Sequence, residues 1–359
     1  MEQVRILSAA PRTGAWRIAP AALQAPLVRA LVLPALACTA MLVAAAVTCA
    51  LAQVSMAGLF IPYFAVSFGV TVAVLLISMF CWVLAMAFAR AEAPIRTVVA
   101  RLRAQAPLLL LPLLVLPLFL AGYTAAKTAI PLLVGFAWDG FWTNADRLIF
   151  GDDAWRIAQQ LLGLRFMSAY AWFYTMGWGL AFMAVTSAVA VNGKPSRVGI
   201  FYSAMFLSWL IGGCLMAMSF SASGPVFAHL FHPELGGRFA GIGQAIASHL
   251  SAANPLRLTQ DYLAASIGSH VAVKGGGISA MPSMHLAAAS IYVLAARRTR
   301  WLVPALLFWA MIFLCSAYFG YHYWVDGLVA ASVAALCWVA AERLFRPGQT
   351  NHSGLHPFA

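Results

Sequence analysis

Three ionisable side chains of this chain have types and spacings that could do chemistry. In the stretch GYHYWVDGL, His322 and Asp326 are four residues apart, and on a helix this spacing puts both on one face within hydrogen-bonding reach. A carboxylate bonded to one imidazole nitrogen selects the tautomer and leaves the other nitrogen as a nucleophile or a base. A buried polar pair that only pins two helices would have the same spacing, so the pair alone does not indicate an enzyme.

The third side chain, His285, lies in the stretch GGGISAMPSMHLAAAS, residues 275–290. Pro282 suits the first turn of a helix, so His285 is predicted to lie in a first turn whose backbone N–H groups are free. Such a helix start attracts anions, phosphate in particular. Glycine lets the backbone approach a ligand closely, and serine adds a hydroxyl donor. The candidate phosphate-binding residues here are Gly277, Ser279 and Ser283.

The composition indicates what must position these residues. Hydrophobic residues make up 63% of the chain and charged residues 9%, whereas a soluble domain carries about 25% charged residues. Apolar stretches of about 20 residues recur, and helices satisfy their own backbone in lipid. We therefore predict an all-α fold, a polytopic membrane helical bundle of about eight spans. They run near 30–52, 58–89, 106–134, 168–191, 198–221, 283–296, 301–320 and 322–341.

The basic residues predict the orientation of the bundle. Fifteen Lys and Arg and three acidic residues fall on one side, and seven basic and seven acidic residues on the other. The basic side is expected to be cytoplasmic and to hold both termini. The loops 136–167 and 222–282 then lie outside, at the same depth as His285 and His322. The alanine-rich, lysine-poor composition suggests a bacterial inner membrane with this face in the periplasm, and a Golgi lumen is the topological equivalent.

Two short motifs resemble a known family. Pro282-Ser283-Met284-His285 resembles the P-S-x-H element of the type 2 phosphatidic acid phosphatase superfamily, and Ser316-x5-His322-x3-Asp326 resembles its S-x5-H-x3-D element. The versions ISAMPSMH and HYWVD are most similar to the branch of the inositolphosphotransferases and inositol phosphorylceramide synthase. The resemblance implies a six-helix catalytic core over 105–345, preceded by a tail (1–29) and two additional helices with a basic inner loop (30–104), and followed by a tail (346–359).

The resemblance also implies roles. His322 would attack a lipid phosphoryl group and become a phosphohistidine, Asp326 would orient it, and His285 would protonate the departing oxygen. Ser283 and Ser279 would hold phosphate oxygens with the helix N-terminus. No metal or cofactor is required by this route, whereas a metal site would use both histidines and the aspartate as a facial triad. The partners would be a lipid phosphate in the bilayer and either water or a polyol or lipid alcohol.

The sequence departs from the family pattern in its cations. The K-x6-R-P element is not found, and Ala317 stands where an arginine is usual. Lys127 has the strongest claim to replace them because it lies inside an apolar span, although snorkelling to the headgroups would also explain it. The other candidates are Arg238, Arg257 and Lys274, each more often a solvated charge. The turn SASGPVF, 221–227, could form a wall of the substrate site.

The segment 138–155 mixes aromatic residues with carboxylates. Either an interfacial helix with an aromatic belt or a platform for a headgroup would have this composition.

The sequence also bears on other classes of protein function. A transporter would have polar groups in broken helices at mid-membrane, whereas here they gather at one face. A scaffold would leave the histidines unexplained. Nucleic-acid binding is not indicated, since no basic face with interleaved aromatics is present.

Overall fold

The computed structural model describes residues 21–346, with side chains described from residue 25 onwards. Most of the predicted N-terminal tail and nearly all of the predicted C-terminal tail, including His352 and His356, lie outside the described residues. Within them all regular secondary structure is helical, and the only bridge between extended segments joins Ser55 to Val271.

Thirteen helices follow one another within the described range. They are α1 (Ala21–Ala52), α2 (Phe60–Phe88), α3 (Pro94–Val134), α4 (Asp139–Phe150), α5 (Ala154–Leu162), α6 (Met167–Asn192), α7 (Pro195–Ser219), α8 (Ala228–Phe231), α9 (Pro233–His249), α10 (Pro255–Ala265), α11 (Met284–Ala296), α12 (Leu302–Tyr318) and α13 (Trp324–Phe345). Six of these, α1, α2, α3, α6, α7 and α13, are long and apolar enough to cross a membrane, and α11 and α12 are shorter apolar helices. The predicted all-helical membrane bundle is confirmed.

The third helix differs from its predicted bounds. We expected an apolar span from residue 106 after a basic loop, but the basic segment is itself helical and runs without a break into the span, so that α3 is 41 residues long. Prolines inside a helix remove backbone hydrogen bonds. Here the chain accommodates Pro107 in a 3₁₀ turn and Pro112 in a π turn (Leu111–Val115), so the helix continues past both.

The helix α7 lies at the centre of the packing. It contacts α1, α11 and α13, while α11 packs between α12 and α13. Consecutive alanines make α11 thin, and Ala287, Ala288 and Ala289 are fully buried. Small residues let helices approach closely in a membrane, where packing rather than the hydrophobic effect drives association. The close packing of α11 against α13 brings the segment before α11 next to the segment before α13.

The two N-terminal helices are attached to the rest at two levels. Along their length α1 packs on α3 and α7, and α2 packs on α3 and α6. At one end the α1–α2 turn pairs with a distant segment, because the Ser55 N–H donates to the His270 carbonyl (2.7 Å) and the Ala272 N–H donates to the Ser55 carbonyl (2.9 Å). The N-terminal pair therefore holds the chain just ahead of Gly275.

The segment 138–155 forms α4 and the start of α5. Leu148 and Ile149 are exposed apolar residues, whereas Asp139, Asp146 and Asp153 are buried against the protein. The carboxylates are seven residues apart and project inward from this segment. Its exposed apolar surface suits a helix at the membrane interface, and its carboxylates serve contacts within the protein.

Candidate active site

A cavity of about 530 Å³ opens at the end of the bundle where α11 and α13 begin. Its walls come from α2, α3, α6, α7 and α10, from the first turn of α11, and from the chain before α11 and before α13. Of the predicted site residues it is lined by Lys127, Lys274, Gly277, Ser279, His285 and His322. The remaining four, Ser283, Asp326, Arg238 and Arg257, do not line it.

His322 does not stand on a helix, contrary to our expectation. The helix α13 begins at Trp324, with Tyr323 as its N-cap. The Asp326 carboxylate accepts a hydrogen bond from the Tyr323 N–H (3.0 Å), which is half of a capping box. His322 thus lies in the loop just before the helix, where its N–H donates to the Ser316 carbonyl at 3.2 Å.

A backbone carbonyl sets the orientation of the His322 ring. Nδ1 is 2.6 Å from the Ala280 carbonyl oxygen, and 3.6 Å from Oδ2 of Asp326. A carbonyl oxygen only accepts hydrogen bonds, so Nδ1 carries the proton and Nε2 keeps its lone pair. The hydrogen bond expected from Asp326 is made by Ala280 instead. Asp326 is fully buried behind the ring, and its Oδ1 has no hydrogen-bond partner among residues 21–346.

His285 is held between two aromatic rings. Its ring stacks on Tyr174 with centroids 5.1 Å apart and an interplanar angle of 19°, and lies 4.2 Å from the Trp178 ring centroid. The centroids of His285 and His322 are 5.7 Å apart. The two imidazoles, which belong to separate elements of the chain, therefore face one cavity side by side.

The predicted phosphate-binding serines occupy different positions. Ser283 is the N-cap of α11 rather than part of its first turn, and its Oγ accepts a hydrogen bond from the Leu286 N–H (3.4 Å). It is fully buried, and its hydroxyl serves the helix. Ser279 lies three residues before Pro282 and lines the cavity. Of the two hydroxyls, the one of Ser279 is placed to reach a ligand.

The glycine run rests on α3 beside Lys127. Gly277 has a φ of +79°, and a Cβ atom there would come within 3.0 Å of the backbone of Lys127 and of Thr128. Only glycine permits both this backbone conformation and this approach. Because the run lies against α3, the amino group of Lys127, the exposed Lys274 and both imidazoles belong to one cavity.

A tyrosine of α2 fastens the other end of the glycine run. The Tyr63 hydroxyl accepts a hydrogen bond from the Gly275 N–H (2.9 Å) and is 2.5 Å from the Thr124 hydroxyl of α3. Tyr63 also lines the cavity. The sequence offered no signal for this contact, since the partners are 212 residues apart.

The two arginines among the candidate cations hold other structures together. Arg238 makes a bidentate pair with the buried carboxylate of Asp153 and so ties α9 to α5. Arg257 donates to the Leu250 carbonyl at 3.1 Å. The structure therefore leaves Lys127 and Lys274 as the cations at the cavity among those we considered.

The carboxylate of Asp146 supports the segment that carries His322. Its oxygens accept hydrogen bonds from the N–H groups of Trp324 (3.2 Å) and Val325 (2.9 Å) in the first turn of α13. A carboxylate at a helix N-terminus satisfies free donors and opposes the helix dipole. Burial nevertheless raises the pKa of Asp146 to about 6, and the nearby charge of Asp153 adds to this, while the two backbone hydrogen bonds oppose it.

Sequence reasoning missed the aromatic side of the site. Tyr174 belongs to a π turn inside α6, Phe173–Gly177, and such turns recur at functional sites. The hydroxyls of Tyr174 and Tyr321 are buried without a hydrogen-bond partner in the described part of the chain, and both residues line the cavity. Buried donors of this kind are rarely left unpaired, so they are available to a ligand.

The part of the chain that carries both histidines matches a known protein family. The model of the PAP2 superfamily, the type 2 phosphatidic acid phosphatases, matches residues 153–340, just over half of the chain. The chain belongs to the PAP2 superfamily. PAP2 membership supports a phosphatase or phosphotransferase activity on lipid phosphates in a bilayer. No curated protein and no solved structure matches this PAP2 chain.

The PAP2 match includes both histidines and Asp326 but begins after α4. Lys127 and Tyr63, which also line the cavity, precede it. Among residues 21–346, no group of three or more His, Cys, Asp or Glu side chains is arranged as a metal site.

Replacing Lys127 with methionine is expected to raise the half-saturating concentration of an anionic lipid phosphate and to lower turnover, together by about 10²-fold in kcat/KM. Methionine keeps the length of the side chain and removes the positive charge from the cavity. Initial rates across a substrate titration measure the effect. Lys194→Met, at an exposed lysine between α6 and α7, is the control and should leave both parameters unchanged. Wild-type kinetics in Lys127→Met would show that another group neutralises the phosphate.

Proposed function

We propose that this PAP2 protein is a membrane phosphotransferase that moves a phosphoryl or phospho-headgroup unit from a lipid donor to an acceptor hydroxyl through a phosphohistidine at His322. The observation that carries this proposal is the hydrogen bond from Nδ1 of His322 to the Ala280 carbonyl. It leaves the Nε2 lone pair as the reactive group on a side chain that lines the cavity. His285 in the same cavity supplies the proton that the reaction needs.

The first step forms the phosphohistidine. The Nε2 lone pair of His322 attacks phosphorus, the bond between phosphorus and the leaving oxygen breaks, and protonated His285 gives its proton to that oxygen. The charge of Asp326, 3.6 Å behind the ring, stabilises the positive charge that develops on the imidazole. Lys127, the Ser279 hydroxyl and the Tyr321 hydroxyl bind the equatorial phosphate oxygens.

The second step transfers the group. The acceptor hydroxyl gives its proton to the now neutral His285 and attacks phosphorus, and the nitrogen–phosphorus bond breaks with its electron pair returning to Nε2. Both side chains regain their starting states, so the cycle balances. Water in place of the alcohol would make the enzyme a phosphatase through the same intermediate.

The residues at the mouth of the cavity favour a lipid donor that stays in the bilayer during the reaction. Val66, Met176 and Leu180 line the cavity and are also 37%, 49% and 62% exposed on the outside of α2 and α6. Apolar residues exposed on spanning helices face lipid. A lipid can therefore bring its phosphate to the histidines while its chains remain in the hydrocarbon.

The choice of a transferase rests on two supports. The motif versions ISAMPSMH and HYWVD resemble those of the inositolphosphotransferase branch, whose acceptors are polyols or lipid alcohols. The catalytic cavity is also largely aromatic and apolar, which favours an organic acceptor in competition with water.

Because the loops of one side carry most of the basic residues, we place both termini in the cytoplasm and the cavity at the periplasmic face of a bacterial inner membrane.

The test is a transfer assay with purified protein in lipid vesicles. Phospholipids and polyprenyl phosphates labelled in the phosphate are supplied with and without inositol, glycerol or diacylglycerol. We expect labelled product that depends on an added alcohol and is lost in His322→Ala, while His249→Ala, at an exposed histidine of α9, retains it. Release of free phosphate with no alcohol dependence would make the protein a phosphatase. Equal background from wild type and His322→Ala across the panel would refute the enzyme.

A further inference from the structure

Asp139, the first residue of α4, is the acceptor for four hydrogen bonds although it is 0% exposed and does not line the cavity. Oδ2 accepts from the N–H of Ser223 (2.8 Å) and from its hydroxyl (3.0 Å). Oδ1 accepts from the Gly224 N–H (2.9 Å) and from the Tyr323 hydroxyl (2.9 Å). One carboxylate thus binds the turn after α7 and the residue next to His322.

The first set of these bonds leads to the ring of His322 through the backbone of residues 222–223 and of Ala280. The Ser223 N–H that donates to Asp139 belongs to the same peptide as the Ala222 carbonyl. That carbonyl accepts the Ala280 N–H at 2.8 Å, and the Ala280 carbonyl accepts Nδ1–H of His322. The N–H and the carbonyl of Ala280 lie in successive peptide groups, so the link acts through the position of this residue. The carboxylate therefore fixes the place of the acceptor that orients the imidazole.

The second set reaches His322 from the other side of its backbone. Tyr323 is buried, and its hydroxyl donates to Asp139 while accepting from the Thr143 hydroxyl (3.3 Å). Asp326 and Asp146 hold the backbone N–H groups of residues 323–325, and Asp139 holds the Tyr323 side chain. The residue that follows His322 is thereby fixed at both backbone and side chain.

The surroundings of Asp139 offer little charge to offset its burial. The one basic side chain within ion-pair distance in the described residues is His232, at 3.6 Å, and its Nε2 is hydrogen-bonded to the Phe136 carbonyl at 2.6 Å. A buried carboxylate held mainly by neutral donors is costly and is a weak device for stability. Its place between two segments that meet at His322 indicates a positioning role.

We propose that Asp139 is a positioning residue for the His322 nucleophile. It acts through the backbone hydrogen bond between Ala280 and Ala222 and through the side chain of Tyr323. This role rests on the proposed function, in that His322 is taken as the group that becomes phosphorylated. Asp139 touches neither the substrate nor the imidazole. Its carboxylate keeps Nδ1 hydrogen-bonded, so that the Nε2 lone pair stays directed at phosphorus.

The test separates the rate of His322 phosphorylation from the fraction of enzyme that is folded. Asp139→Asn replaces one carboxylate oxygen with an NH₂ group. This group cannot accept the two hydrogen bonds that the oxygen accepted, so two of the four hydrogen bonds are lost. In a single-turnover experiment with excess enzyme and labelled lipid phosphate, we expect the rate constant for phosphohistidine formation to fall by about 10- to 100-fold, because small misplacements of a reacting group have effects of this size. The half-saturating substrate concentration should change less than twofold.

Two further variants complete the design. Tyr323→Phe removes only one of the four hydrogen bonds and should lower the same rate constant by about 3- to 10-fold, which keeps the proposal testable if Asp139→Asn does not fold. Asp152→Asn, at a partly exposed carboxylate of the same segment, should behave as wild type. A purely structural role would lower the amplitude of labelling and leave the rate constant unchanged in both variants, and that result would overturn the proposal. A wild-type protein that forms no phosphohistidine would refute the proposed function instead.

Discussion

Replacement of His322 with asparagine is expected to lower turnover by at least about 10³-fold, because the proposed nucleophile is lost. Asparagine is the sharper choice than alanine. Its side-chain NH₂ can take the place of Nδ1 and donate to the Ala280 carbonyl, so the loop keeps the hydrogen bond seen at 2.6 Å. What disappears is the Nε2 lone pair.

The measurement is the trapping of an acid-labile, base-stable phosphoryl group on the protein during turnover, followed by mapping of the labelled peptide. Wild type and His249→Ala should both be labelled at residue 322, and His322→Asn should show neither label nor turnover. Label on another side chain, with full activity in His322→Asn, would contradict the proposed nucleophile. Label on His285 would reverse the roles of the two histidines.

Replacement of His285 with asparagine is expected to lower turnover by about 10²- to 10⁴-fold on lipid substrates, the range that general acid catalysis contributes. The reason is that an alkoxide leaves phosphorus poorly unless a proton reaches it. In a nitrophenyl phosphate ester the leaving group is nitrophenolate, a stable anion that leaves phosphorus without needing that proton. We therefore expect the variant to lose much less activity on the nitrophenyl ester than on a lipid phosphate.

Parallel assays of both substrates with wild type and His285→Asn measure this difference. A similar loss on the two substrates would show that His285 does not protonate the leaving group and contributes mainly to the wall of the cavity, where it packs between Tyr174 and Trp178. Tyr174→Phe is the control for a change to another side chain of the same cavity. It keeps the aromatic ring and should not distinguish between the two leaving groups.

The features that could be predicted from the sequence are those set by local composition and by order along the chain. Apolar stretches bounded by polar ones predicted the helices, because each element must satisfy its own backbone in lipid. The positions of His285 and His322 at the starts of two such stretches predicted that they would meet at one end of the bundle. Their ring centroids are 5.7 Å apart.

The features that could not be predicted depend on which backbone groups meet in three dimensions. The spacing of His322 and Asp326 suggested a direct hydrogen bond on one helix, but Asp326 instead accepts the Tyr323 N–H, so the helix begins after His322. The Ala280 carbonyl that replaces it has no side-chain signature. Arg238 looked like a free outer cation because its partner, Asp153, is 85 residues away.

The contacts of the N-terminal helices have a consequence for how this protein can be divided. The PAP2 match begins at residue 153, yet one wall of the cavity, with Tyr63 and Lys127, is contributed by helices that precede it. The α1–α2 turn also anchors the chain ahead of the glycine run. The segment that matches the family and the part of the chain that forms the complete cavity therefore have different boundaries. A chimaera that exchanged only residues 153–340 with another member of the superfamily would combine one protein's histidines with a foreign lysine and a foreign wall.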